Sequence, residues 1–184
     1  DLRDNPGGLL NEAILISNLF IPRGELIVST KGKLERWNST HKAKESPVDE
    51  ESRLAVLTSS RSASASEIVS GVIQDYDRGV LLGQRTYGKG LVQTTLPVAY
   101  NAKVKVTTAK YYIPSGRCIQ AIDYSSRNSD GSVGKIPDSL ITEFKTTNGR
   151  LVYDGGGITP DVNIETQKTP IIVQELIRKN MIFN

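Results

Sequence analysis

Residues 53–83 read RLAVLTSSRSASASEIVSGVIQDYDRGVLLG, and this stretch decides the fold class. RLAVLTS is an apolar run of strand length, and VLLG is a second one. Between them Ile68, Val69, Val72, Ile73 and Tyr76 recur at three- and four-residue spacing, the mark of a helix with one buried face. Gly79 is placed to end that helix. Strand, helix and strand in succession predict an α/β fold with at least some parallel pairing.

Working outward, LLNEAILISNLF (9–20) predicts a helix with Leu9, Ala13, Ile16 and Phe20 on one face, stopped by Pro22-Arg23-Gly24. ELIVST (25–30), LVQTTLPV (91–98) and KVKVTTAKYYI (103–113) read as strands, and LVYDGGGITPDVNIE (151–165) resumes β character. PIIVQELIRKNMIF (170–183) predicts a closing amphipathic helix that starts at Pro170. Residues 31–52 and 121–150 are polar and turn-rich, and are expected to be insertions or extended loops. The opening DLRDNPGG (1–8) is turn chemistry of the kind that follows a strand, so a fragment cut near an element boundary is expected.

Composition narrows the function classes. The chain has 184 residues, with 23 basic against 20 acidic side chains, a net +3. There is no basic arm or stripe, which speaks against nucleic acid. No apolar run approaches the ~18 residues of a spanning helix. A single cysteine and a single histidine exclude a disulfide framework, a Cys/His metal cluster and a multi-histidine site. With His41 alone in a polar run, a Ser-His-Asp triad is disfavoured, and the base of any enzyme here is not expected to be histidine.

The chemistry-bearing residues lie between 57 and 93. LTSSRSASASEI (57–68) puts serines where a strand gives way to a helix, whose first N–H groups are unpaired and suited to an oxyanion. The same residues admit a plainer reading: Ser64-Ala65-Ser66-Glu67 is also a capping box. In TYGKGLVQ (86–93), Lys89 stands between two glycines. It is either a surface lysine in a turn or an amine that, in an apolar site, loses its hydration and acts as a general base toward a serine. Gln93, four positions on, would share a strand face with Lys89 and could orient it. GQRTYGKG (83–90) nearly spells a phosphate loop, but Gly90 stands where Ser or Thr must meet magnesium, and a strand follows where a helix is required.

SASASEI (62–68), then QD (74–75), TYGKGLVQ, TTAKYYIPSGRCIQ (107–120) and GGGITPD (155–161), with DLRDNPGG ahead of them, together resemble the carboxy-terminal processing (tail-specific) proteases, serine peptidase family S41. The resemblance implies a serine endopeptidase cleaving proteins with nonpolar C-terminal tails, on a crotonase-like superhelical core of mixed and parallel sheets. Residues 1–184 would be part of that core, without the family's upstream PDZ domain and first strands. Carried over residue by residue, the nucleophile falls on Ser64, the lysine on Lys89 and its orienting glutamine on Gln93. Ala65 would supply one oxyanion-hole N–H, with a second from Gly7 or Gly8, and Glu67 and Asp75 fall on supporting positions. Asp75 is about 16 Å along the helix from Ser64, too far for a proton relay, and is expected to anchor structure. Glu67 is expected to bond backbone, since a carboxylate against the Lys89 amine would keep it charged. Cys118 is expected to be a buried structural thiol. The implied mechanism uses no metal or nucleotide, and the implied setting is the bacterial cell envelope, periplasmic or exported. A non-catalytic peptide-binding module of the same fold and a nucleotide binder stay open as alternatives.

Overall fold

The computed structural model describes residues 1–127, 129–165, 171–179 and 181. The decisive stretch folds as strand, helix and strand: β3 (Leu54–Thr58), α2 (Ala65–Asp75) and β4 (Gly79–Gly83). Strands β3 and β4 run parallel in register, Leu54 opposite Gly79 through Thr58 opposite Gly83, as a helical crossover requires. A short strand β11 (Val162–Asn163) adds parallel to the far side of β4, giving the order β11-β4-β3. A second, antiparallel sheet has the order β2-β1-β6-β5, from β1 (Leu26–Gly32), β2 (Ser39–Lys42), β5 (Leu91–Pro97) and β6 (Lys103–Tyr112).

Two small antiparallel pairs complete the chain: β7 (Ile122–Arg127) with β8 (Val133–Lys135), and β9 (Glu143–Lys145) with β10 (Leu151–Tyr153). The polar segments 31–52 and 121–150 therefore contain paired strands as well as loops. Helices α1 (Leu10–Asn18) and α3 (Ile171–Arg178) lie toward the two ends of the chain. The proposed start of the last helix, Pro170, lies outside the described residues. Among these residues no helix is long and apolar enough to cross a membrane.

The core forms where α2 packs on both sheets. Ile21, Ile27, Ile68, Val72, Ile73, Leu81, Ile113, Ile119 and Ile158 are each at most 1% exposed. Helix α2 is buried from Ser66 to Asp75, polar residues included.

Two local expectations are corrected. Helix α2 stops at Asp75 with Tyr76 as its C-cap, and the residue that terminates it is Asp77 rather than Gly79: Asp77 takes the left-handed conformation, with φ 53°. Its amide donates to the Gln74 carbonyl at 3.0 Å. Asp77 can hold that conformation because Asn148 N–H and Arg150 engage its carboxylate. Helix α1 buries Ala13, Ile14, Ser17 and Asn18 and leaves Leu9 and Ile16 exposed, a face turned from the one the apolar spacing indicates. The cause is Asn18, whose amide accepts from Lys44 and Glu45 N–H at 2.9 Å and donates to Glu45 O at 2.7 Å. Because those bonds satisfy it, the polar side chain goes inside. The helix stops there, four residues before Pro22.

Candidate active site

The turn from β3 into α2 carries three closely spaced serines with different environments. Ser62 is fully buried, and its hydroxyl donates to Leu2 O at 2.6 Å while accepting from Ser59 N–H at 2.9 Å. Ser66 is buried and donates to Asn5 O at 3.1 Å. Ser64, between them, is only partly buried. It caps the helix with φ 56° and ψ −115°, a conformation that non-glycine residues seldom adopt and that is found at strained strand-to-helix turns.

The opening DLRDNPGG turn lies against this residue. A Cβ at Gly7 would fall 2.4 Å from Ala63 O, 2.7 Å from Ala65 N and 3.0 Å from Ser64 Cβ, and Gly7 itself has φ +86°. Only glycine allows this approach. Gly7 N–H is already given to Asn5 Oδ1 at 2.9 Å, whereas Gly8 is exposed and its N–H meets no acceptor among the described residues. Ala65 N–H, in the first turn of α2, is likewise unengaged among these residues.

Glu67 organises the site from below. It is fully buried, and its carboxylate accepts four hydrogen bonds. Oε2 takes Ser64 N–H and Lys89 N–H, each at 2.8 Å, and Oε1 takes Gly88 N–H at 2.7 Å and the Thr86 hydroxyl at 2.5 Å. One carboxylate thus holds the serine turn and the lysine loop together. Burial pushes the Glu67 carboxyl above the ordinary glutamate range, against the four donors that pull it down.

Lys89 itself is exposed, so the water-excluded amine considered from the sequence is not what the structure contains. The physical reason is that the cavity it lines, about 340 Å³ and shared with Pro6, Arg61, Tyr87, Gln93 and Tyr124, opens to solvent. Among the described residues no hydrogen bond joins the Lys89 amine to Ser64. Lys89 precedes β5, and a bulge between Val92 and Gln93 breaks the two-residue alternation. The strand-face argument for Gln93 therefore does not apply, although both side chains line the same cavity.

Asp75, at the far end of α2, pairs with Arg117 at 2.7 Å, and both are buried. Asp75 also accepts Ser115 N–H at 2.9 Å, and Arg117 donates to Gln74 Oε1 at 2.8 Å. Burial raises the Asp75 carboxyl, opposed by the Arg117 charge. Burial also raises the Cys118 thiol above its ordinary value. Sequence reasoning did not single out Thr86, Arg117, Arg150 or Asp161. Arg150 and Asp161 pair at 2.5 Å, and Asp161 also accepts from Gln74 and from Leu81 N–H. Among the described residues no group of three or more His, Cys, Asp or Glu side chains could hold a metal ion.

The chain is similar in sequence, and its mixed α/β fold in structure, to known proteins. A carboxy-terminal-processing protease of Bartonella bacilliformis is 46% identical over 122 residues, covering 66% of this chain and 28% of that protein. A Staphylococcus epidermidis protein named "Probable CtpA-like serine protease" is 39% identical over 121 residues, covering 65% and 24%. Among solved structures, the photosystem II D1 C-terminal processing protease superposes with a TM-score of 0.66 at 25% identity, covering 97% of this chain and 37% of that one. The chain thus spans about a quarter of the length of these curated relatives. Its fold class is that of C-terminal processing peptidases. The model of peptidase family S41 matches residues 1–126, and the chain belongs to that family.

Proposed function

We propose that the chain is the core of a serine endopeptidase that acts on proteins with nonpolar C-terminal tails, through a Ser64–Lys89 dyad and an acyl-enzyme. The observation that carries this reading is the Glu67 carboxylate, which holds Ser64 N–H and Lys89 N–H at 2.8 Å each. A bound peptide covers the open cavity and excludes water from the Lys89 amine. The neutral amine takes the Ser64 proton as Oγ attacks the peptide carbonyl and returns it to the leaving nitrogen. Gln93 steadies the amine within the same cavity.

The oxyanion forms against Ala65 N–H and Gly8 N–H. Gly8 is preferred to Gly7 because Gly7 N–H is already given to Asn5. Asp75 supports the fold rather than the reacting atoms. The core is assigned to the crotonase-like superhelical type, and the setting to the bacterial cell envelope, periplasmic or exported; both rest on the family resemblance. The chemistry needs neither metal nor nucleotide.

The test is labelling of the full-length protein with a serine-directed acylating probe across a pH series. The expected result is one adduct, on Ser64, lost in Ser64→Ala and formed far more slowly in Lys89→Met. An adduct on Ser62 or Ser66, or labelling that survives Ser64→Ala, would overturn the assignment.

A further inference from the structure

Thr86 is buried and stands three residues before Lys89, yet its hydroxyl touches neither the lysine side chain nor Ser64. It lies between Glu67 and the GGGITPD loop. Ile158 N–H donates to Thr86 Oγ1 at 2.7 Å, and Thr86 N–H donates back to Ile158 O at 3.0 Å. An amide N–H can only donate, so it occupies a lone pair of the hydroxyl and directs the hydroxyl proton elsewhere. That proton points to Glu67 Oε1 at 2.5 Å. With Glu67 ionised both directions are set: the amide donates to the hydroxyl and the hydroxyl donates to the carboxylate.

The carboxylate's other three partners, the amides of Ser64, Gly88 and Lys89, can also only donate. Thr86 is thus the only side chain among the four groups bonded to Glu67. It sets the rotation of the carboxylate plane, because Oε1 must meet the hydroxyl and Gly88 N–H while Oε2 meets the two amides that carry the dyad.

We propose that Thr86 is a positioning residue for the reaction: through Glu67 it fixes the orientation in which one carboxylate holds both the nucleophile turn and the lysine loop, and through Ile158 it ties that geometry to the 155–158 loop. The role rests on the peptidase reading above. It predicts an effect on turnover rather than on substrate affinity, because Thr86 lies behind the dyad and away from the cavity that Lys89 lines. A displacement of about 1 Å between reacting groups costs on the order of 10²-fold in rate.

The experiment compares Thr86→Val, which keeps the shape and removes the hydroxyl, with Thr86→Ser, which keeps the hydroxyl, both in the full-length protein. Expected for Thr86→Val is a loss on the order of 10²-fold in kcat with KM within about threefold, and faster hydrogen exchange at Ser64, Gly88 and Lys89 amides together. Thr86→Ser should restore most of the rate and the protection of those amides. If Thr86→Val folds poorly, the same comparison is read from Thr86→Ser against Thr86→Ala by exchange at the three amides. A Thr86→Val protein with wild-type kcat, or with those amides still protected, would overturn the role of Thr86 while leaving the peptidase reading intact. A wild-type protein that neither cleaves peptides nor labels at Ser64 would overturn both.

Discussion

Glu67 meets Lys89 at its backbone and not at its amine: Oε2 accepts the Lys89 N–H at 2.8 Å, while the lysine side chain extends into the open cavity. The carboxylate therefore holds the loop by its backbone. Replacing Glu67 with Gln keeps the shape but turns an NH₂ toward amide donors. The expected cost is roughly 3 kcal/mol of stability, read by denaturant unfolding, and a fall in kcat on the order of 10²-fold.

Gly7 offers a second test. In Gly7→Ala the new methyl would meet backbone at 2.4 Å and 2.7 Å in a conformation that disfavours side chains. Overpacking of this kind costs about 1–3 kcal/mol, and here the strain is relieved by moving the Ser64 turn. The expected outcome is slower acylation of Ser64 by the probe with a modest drop in melting temperature. Acylation at the wild-type rate would mean that the DLRDNPGG turn does not shape the reacting end of α2.

The buried Asp75–Arg117 pair predicts the opposite signature. Truncating one partner leaves the other charge buried and uncompensated, a loss of about 3–5 kcal/mol. In Asp75→Ala the melting temperature should fall sharply, while the folded fraction retains the wild-type pH profile of acylation. A changed profile with an unchanged melting temperature would bring Asp75 into the chemistry.

Acid should weaken the fold through Asp77. Burial raises this carboxyl, but the Asn148 amide and the Arg150 guanidinium outweigh it and hold it below the ordinary aspartate range. A group whose pKa is lower in the folded chain than in the unfolded one stabilises above the unfolded value, near 3.9, and loses that contribution as pH falls through the folded one. Unfolding midpoints should therefore drop with acid below about pH 4, and Asp77→Asn should flatten that part of the curve.

The residues that were legible in advance share a local cause. Ile68, Val69, Val72 and Ile73 are buried as their helical spacing indicates, although α2 is buried on every side from Ser66 to Asp75 rather than on one face, and β3 and β4 pair in parallel because a single helix connects them. The junction of Ser64 with Glu67 is local too. What the sequence hid depends on partners far along the chain. Asn18 is buried by amides 26 and 27 positions away, and Thr86 is engaged by Ile158, 72 positions on. The bulge at Val92/Gln93 leaves no compositional mark, and the exposure of Lys89 follows from the mouth of a cavity built by several separate segments.

Hanging two loops from one anchor has a mechanical consequence. Thermal displacement of the anchor carries both amides along in common mode, so the spacing between the two backbones is insulated from breathing of the sheet that bears each of them. What varies is the reach of the lysine's own methylene chain, so on the proposed reading a ligand that orders that chain would bring the amine to Ser64 while both backbones stay in place.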